Sequence, residues 1–295
     1  MTPKQFLDLV EVRVVIPSVA PLMVGLAYSQ WQYARINWLN AILLIIATVC
    51  VHLAVNTFNR YEDNKRQQNN SYLRETVSEA TITDKQVLHV AVSLAVIAAI
   101  AGISVALLTD YVTWIIGIIS FFIGYLYSAG PKPITNTPFG ELVSGITMGY
   151  FIFVAQLYVN TQIQLSLAIL WQWLIVSLPL VILIANIMFA NNIADHQEDE
   201  ENHRHTLVHY LGLSRSKVLY QGLVVLALIE IIVAIILKYA PLPMLVTLLL
   251  APILIQNART FTKRPIKEET FVLSIKNLVV LMLGMTITLV VAIMM

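Results

Sequence analysis

Long apolar runs, separated by short polar stretches, dominate the chain. Nine of them, at residues 14–30, 38–58, 87–108, 112–128, 140–159, 171–193, 217–238, 242–257 and 271–294, approach or reach the length a helix needs to cross roughly 30 Å of hydrocarbon. The fourth and eighth are short. The pattern predicts an all-α membrane protein of about nine transmembrane helices in one bundle around a central cavity opening at the cytoplasmic face. No Pro-, Gly- or Ser-rich linker interrupts the series, so residues 1–295 read as one polytopic domain. Pro17 and Pro21 fall in the first run, where neighbouring helices must satisfy the carbonyls they free.

Composition strengthens this picture. Apolar residues make up 58% of the chain and charged ones 12%, and the mean hydropathy is +0.76; a soluble globule of 295 residues could not be coated with so little polar surface. Charge is confined to loops. With the N-terminus inside, fifteen Lys and Arg lie in inner segments against Arg35 and Lys238 outside, which predicts a cell-membrane protein with a cytoplasmic N-terminus. Lys4, Glu11 and Arg13 precede the first run without a cleavage pattern, so that segment reads as retained. Nucleic acid is excluded as a partner, lipid is required, and nothing specifies an oligomer. Cys50 lies inside an apolar run and reads as a packing residue.

Two polar clusters stand out where even-numbered runs end, which places both on the cytoplasmic side. They are Asn56-Thr57-Phe58-Asn59-Arg60-Tyr61-Glu62-Asp63 and Asn191-Asn192-Ile193-Ala194-Asp195-His196-Gln197-Glu198-Asp199. On a helix, Asn56, Asn59 and Asp63 share one face, and so do Asn192, Asp195 and Asp199, whereas Asn191 points off it. Carboxylates are costly beside a bilayer, so such a pair of faces points to function. Asp63, Asp195 and Asp199 offer hard oxygens suited to Mg²⁺, which bridges a few carboxylates to substrate phosphates. Zinc fits less well, because no Cys accompanies His196, His203 and His205. Arg60, Lys132 and Arg204 are placed to take phosphate oxygens that the metal leaves free.

With these motifs the chain resembles the UbiA-type membrane prenyltransferases, and among them is most similar to the 1,4-dihydroxy-2-naphthoate polyprenyltransferases of menaquinone biosynthesis. Asn56, Asn59 and Asp63 match the family's first motif. Asn191, Asn192, Asp195, Asp199, Arg204, Thr206 and Leu207 match the second, and Tyr127-Ser128-Ala129-Gly130-Pro131-Lys132-Pro133, followed by Gly140-Glu141, matches a third. Arg60 stands where the family carries its first aspartate, and Arg cannot ligate Mg²⁺.

The resemblance implies Mg²⁺-dependent transfer of a polyprenyl group from an allylic diphosphate to an aromatic acceptor. Asp63, Asp195 and Asp199 would be the catalytic metal ligands, and Asn56, Asn59, Arg60, Lys132, Asn192, Arg204 and Tyr127 would bind substrate. The rings of Tyr127, Tyr150 or Tyr158 would face an allylic cation; an interfacial tyrosine belt is the plainer reading.

Other readings compete with this one. They are a different aromatic acceptor, a relative that binds isoprenoid without turnover because of Arg60, and a secondary transporter motivated by Glu230 and Lys276 within spans seven and nine. Those two charges are expected to pair or to face the cavity. Lys263, Arg264 and Lys267 are expected to meet anionic lipid.

Overall fold

The computed structural model describes residues 2–12, 15–68, 83–128, 133–202 and 204–295, and every long apolar run within them is helical. A short helix α1 (Pro3–Leu9) opens with a reciprocal cap: the Thr2 hydroxyl accepts from the Gln5 N–H at 3.2 Å while Gln5 Oε1 accepts from the Thr2 N–H at 2.7 Å. Helix α2 (Ile16–Tyr33) carries Pro17 in its first turn and Pro21 inside, and stops at Ala34 in the left-handed region. Helix α3 (Trp38–Gln68) runs without interruption through the first polar motif. Thr83 and Gln86 repeat the capping box at α4 (Asp84–Leu108), and α5 (Tyr111–Ser128) follows after a brief turn.

Helices α6 (Gly140–Ser144) and α7 (Ile152–Thr161) form one rod, joined by a π-helical stretch over Gly145–Phe151. Helix α8 (Leu167–Ala194) starts from a Ser166 cap and contains Pro179. Two short helices, α9 (His196–Glu201) and α10 (Leu207–Leu211), lead to Gly212, whose φ of 73° lets the chain turn sharply into α11 (Leu213–Ile236). A 3₁₀ segment over Leu242–Leu250 continues as α12 (Ala251–Lys263), and α13 (Val272–Met294) completes the series.

Seven helices among the described residues are long and apolar enough to cross a membrane: Trp38–Asn59, Asp84–Leu108, Gly140–Thr161, Leu167–Ala194, Leu213–Ile236, Leu242–Lys263 and Val272–Met294. Tyr111–Tyr127 is apolar but shorter. Helix α2, with two prolines and Ser29, Gln30 and Gln32 near its end, is not among the seven. The protein is therefore a helical multi-pass membrane protein, with seven of the nine expected spans meeting the physical requirement. Large apolar side chains such as Ile100, Leu107, Phe121, Val218 and Leu249 project outward, as lipid contact demands.

The main core is built by α2, α7, α8, α10, α11, α12 and α13 around Tyr28, Phe153, Trp173, Leu180, Tyr220 and Phe261. A smaller cluster ties α1 to α3 and α4 through Leu9, Val10, Leu53, Ala54, Val87 and Leu94. At one end of the bundle, polar side chains lash connections together. Asn40 Nδ2 donates to the Val159 carbonyl at 3.0 Å, Asn160 Oδ1 accepts from the Asn37 N–H at 2.9 Å, and the Tyr28 hydroxyl donates to the Tyr239 carbonyl at 3.0 Å. Each satisfies a polar group that hydrocarbon would leave bare. Glu230 and Lys276 form no ion pair with each other among the described residues, so the expected intramembrane pairing does not occur.

The π-helical stretch brings two glycines against α8. A Cβ on Gly145 would stand 2.6 Å from the Val181 carbonyl oxygen and 2.9 Å from the Ala185 Cβ; one on Gly149 would stand 2.6 Å from the Val181 Cα. These are backbone-to-backbone approaches that no rotamer change relieves. Replacing Gly149 by Val should cost about 3 kcal/mol or more and lower the melting temperature of the detergent-solubilised protein, whereas Gly117→Ala, where a Cβ meets nothing within 4 Å, should leave it unchanged.

Candidate functional site

The chain reverses with each long helix, so the ends of α3 and α8 and the starts of α6 and α13 share the end opposite the Asn37–Asn160 latch. On α3 the backbone stays helical from Asn56 to Asp63, which keeps Asn56, Asn59 and Asp63 on one face. Asn56 and Asn59 are half-buried, and Asn56 Nδ2 is buried without a hydrogen-bond partner among the described residues. The side chains of Arg60 and Asp63, and the whole of Lys132, lie outside the described residues.

The second motif departs from the single helix that its spacing suggests. Helix α8 ends at Ala194, Asp195 takes φ −90° and ψ 9°, and α9 restarts at His196. The register nevertheless survives the break, because the Asp195 N–H donates to the Asn191 carbonyl at 2.9 Å and the Asp199 N–H to the Asp195 carbonyl at 2.8 Å. Asn192, Asp195 and Asp199 thus stay close while each meets a different partner.

Asn192 Nδ2 donates to Glu141 Oε1 at 2.8 Å, joining α8 to the start of α6. Asp195 Oδ2 accepts from Lys267 Nζ at 2.5 Å and from Asn191 Nδ2 at 3.0 Å. Asp199 Oδ1 faces Arg204 Nη1 at 3.4 Å, and the chain between them is folded back by the Arg204 N–H donating to the Asp199 carbonyl at 2.8 Å. Asp199 and Glu141 are 4% and 5% exposed. Each has one carboxylate oxygen, Asp199 Oδ2 and Glu141 Oε2, buried with no hydrogen-bond partner among the described residues. An acceptor left bare in this way costs free energy unless a cation or donor arrives.

Burial holds the Asp199 carboxyl above the usual carboxylate range; the charges of Asp195 and Glu198 push the same way, and Arg204 opposes them. Tyr127 is half-buried, is hydrogen-bonded to Ser144 and lies within electrostatic reach of Glu141, so it belongs to this cluster.

Several expectations change here. The Tyr158 hydroxyl donates to Asp110 in the turn between α4 and α5, at the opposite end of the bundle, and Tyr150 donates to the Leu170 carbonyl at 2.9 Å near the start of α8. Neither hydroxyl belongs to the acidic cluster; Tyr127 alone of the three does. Lys267 meets Asp195, where lipid contact was expected, and Asn191 orients that same carboxylate although its register points away from the motif face. Glu141 was legible only as a neighbour of the Gly-Pro-Lys-Pro loop. A carboxylate in the first turn of an apolar span was the signal that could have singled it out.

The donor chemistry fits a hard divalent cation. Asp195 and Asp199 supply oxygen donors, and the orphaned Asp199 oxygen needs a positive partner. No three acidic, His or Cys side chains among the described residues enclose a metal on their own.

The sign of the Asp199 effect on stability follows from its raised pKa. The folded state holds this proton more tightly than the unfolded chain, so the group's contribution to stability falls as pH rises from the unfolded towards the folded pKa and stays unfavourable above it. In EDTA at neutral pH, Asp199→Asn should therefore raise the melting temperature, and the gain should shrink as the buffer is acidified. The same variant should lose activity by about a hundredfold or more.

The UbiA prenyltransferase family model matches residues 18–293. The chain is 30% identical over 198 residues, 66% of its length, to the 1,4-dihydroxy-2-naphthoate octaprenyltransferase of Bacillus subtilis (strain 168). The matched stretch spans 62% of that relative. Among solved structures, the apo form of a UbiA homolog from Aeropyrum pernix K1 superposes with a TM-score of 0.71 at 17% identity, covering 92% of this chain and 97% of that one. A UbiA homolog from Archaeoglobus fulgidus bound to GPP and Mg²⁺ gives 0.65 at 13% identity, with 98% and 99% covered. With a family match that spans nearly the whole sequence and a shared helical architecture, the chain belongs to the UbiA prenyltransferase family.

Proposed function

We propose that the protein transfers a polyprenyl group from an allylic polyprenyl diphosphate to 1,4-dihydroxy-2-naphthoate, giving, with loss of CO₂, demethylmenaquinol, the reduced form of demethylmenaquinone. The observation that carries this reading is Asp199, a deeply buried carboxylate with one oxygen on Arg204 and the other without a partner, set one helical turn from Asp195. A buried acid with one oxygen still open is stabilised by a cation, and the anion that comes with it is met by Arg204. The Bacillus subtilis relative, by its name, acts on the naphthoate, and the Archaeoglobus fulgidus homolog binds GPP and Mg²⁺.

In this reading Asp63, Asp195 and Asp199 hold Mg²⁺, which when bound neutralises charge on the leaving diphosphate. Asn56, Asn59, Arg60, Lys132 and Arg204 hold the phosphate oxygens. Asn192, anchored on Glu141, fixes the α6–α8 wall, and the Tyr127 ring faces the allylic carbon. The C–O bond to the diphosphate breaks, the electron-rich ring forms the new C–C bond at the carbon that carries the carboxylate, and that carboxylate leaves as CO₂ to restore aromaticity, giving the hydroquinone. The whole chain, 1–295, acts as one domain in the cell membrane with its N-terminus and both motifs cytoplasmic, where the soluble part of each substrate arrives, while the polyprenyl tail lies among the apolar helices.

Purified protein with Mg²⁺, farnesyl diphosphate and 1,4-dihydroxy-2-naphthoate should yield a decarboxylated prenyl-naphthoquinol, or its air-oxidised quinone, by mass spectrometry and none with EDTA. If product forms only with 4-hydroxybenzoate, the acceptor assignment is wrong. A second reading, a quinone- or isoprenoid-binding relative that does not turn over, is favoured by Arg60 in place of a metal-ligating aspartate. Arg60→Asp decides between them. We expect it to lower the rate about tenfold, because a phosphate contact is lost; a rate gain of that size would point to the impaired relative.

A further inference from the structure

The connection between α12 and α13 carries a residue that neither motif includes. The turn over Arg264–Phe271 is fastened by Thr270, whose hydroxyl donates to the Arg264 carbonyl at 2.6 Å and accepts from the Ile266 N–H at 3.0 Å. The Thr270 N–H donates to the Ile266 carbonyl at 2.9 Å, and Arg264 pairs with Glu269 at 3.3 Å. This fastening fixes where Lys267 projects, and its ammonium reaches Asp195 Oδ2 at 2.5 Å across 72 positions of sequence.

The two partners differ in freedom. The Asp195 side chain is 11% exposed and is also held by Asn191, whereas the Lys267 side chain is 47% exposed at the end of a flexible stem. An ammonium on a carboxylate oxygen competes with any cation for that oxygen. It also keeps the site from being too negative to admit a diphosphate: Asp195 and Asp199 are matched by Lys267 and Arg204.

We propose that Lys267 is a phosphate-reading residue that occupies the metal-binding oxygen of Asp195 while the site is empty and passes its ammonium to the diphosphate when the metal and substrate arrive. The acid and the phosphate thereby exchange one cation for another, and neither is left bare at any stage. This rests on the diphosphate reading of the site given above.

Two affinities measured on the full chain in nanodiscs test it: Mg²⁺ alone, and inorganic pyrophosphate in saturating Mg²⁺. Lys267→Met should tighten Mg²⁺ about fivefold, because its competitor is gone, and weaken pyrophosphate about tenfold, because a charged donor is lost. Lys267→Arg should restore pyrophosphate binding. Lys263→Met removes the same charge from an exposed position that pairs with no acid among the described residues, and should move neither affinity. A salt bridge that merely braces the turn would change the melting temperature and leave both affinities at the wild-type value. That result, or equal shifts in Lys263→Met, overturns the proposal while the diphosphate reading stands. Wild-type protein that fails to bind pyrophosphate in Mg²⁺ overturns both.

Discussion

Hydrocarbon cannot solvate a charge, and every other feature of this protein follows from where its few charges are allowed to be. Acidic side chains are costly in spans made of Leu, Ile and Val, so apart from Glu230 in α11 those of the long spans collect where helices end and where neighbours can meet them. The end of α8 gathers Asn192, Asp195 and Asp199; two partners come from far away in sequence, Glu141 from α6 and Lys267 from the turn before α13, and the third, Arg204, from the turn just after α9. The site is thus a junction of chain segments that lipid exclusion brings to one place.

The fold was largely legible, because a membrane helix advertises itself by length and apolarity alone. Helices α4, α8, α11 and α13 appear close to their expected limits, while α3 starts where expected but runs on past residue 58 to Gln68. What failed at the level of detail failed for physical reasons. The eighth span begins as a 3₁₀ segment, which hydropathy does not distinguish from an α-helix, and the first span mixes prolines and glutamines into a helix that is buried by its neighbours more than by lipid.

The site was legible in part. Motif spacing identified Asn192, Asp195 and Asp199, because i, i+3 and i+7 positions stay together even across the break at Asp195. Spacing within one segment says nothing about which distant segment will answer it. Glu141 and Lys267 therefore escaped, and spacing left Tyr158 open between a place at the site and one in an interfacial belt; it lies within the last turn of α7, bonded to Asp110 and away from the acidic cluster. Asn191 was discounted on helical register, yet an i to i+4 contact with Asp195 is what that register provides.

One feature of the packing bears on how the molecule is made. Helix α13 lies against α2, and the turn that delivers Lys267 is bound to the start of α13. Spans threaded into the bilayer early in translation must wait for this late one before the bundle can close around its buried acids. Until then Asp195 lacks its lysine, so a chain stopped short of this turn would carry an incomplete charge cluster at the end of α8.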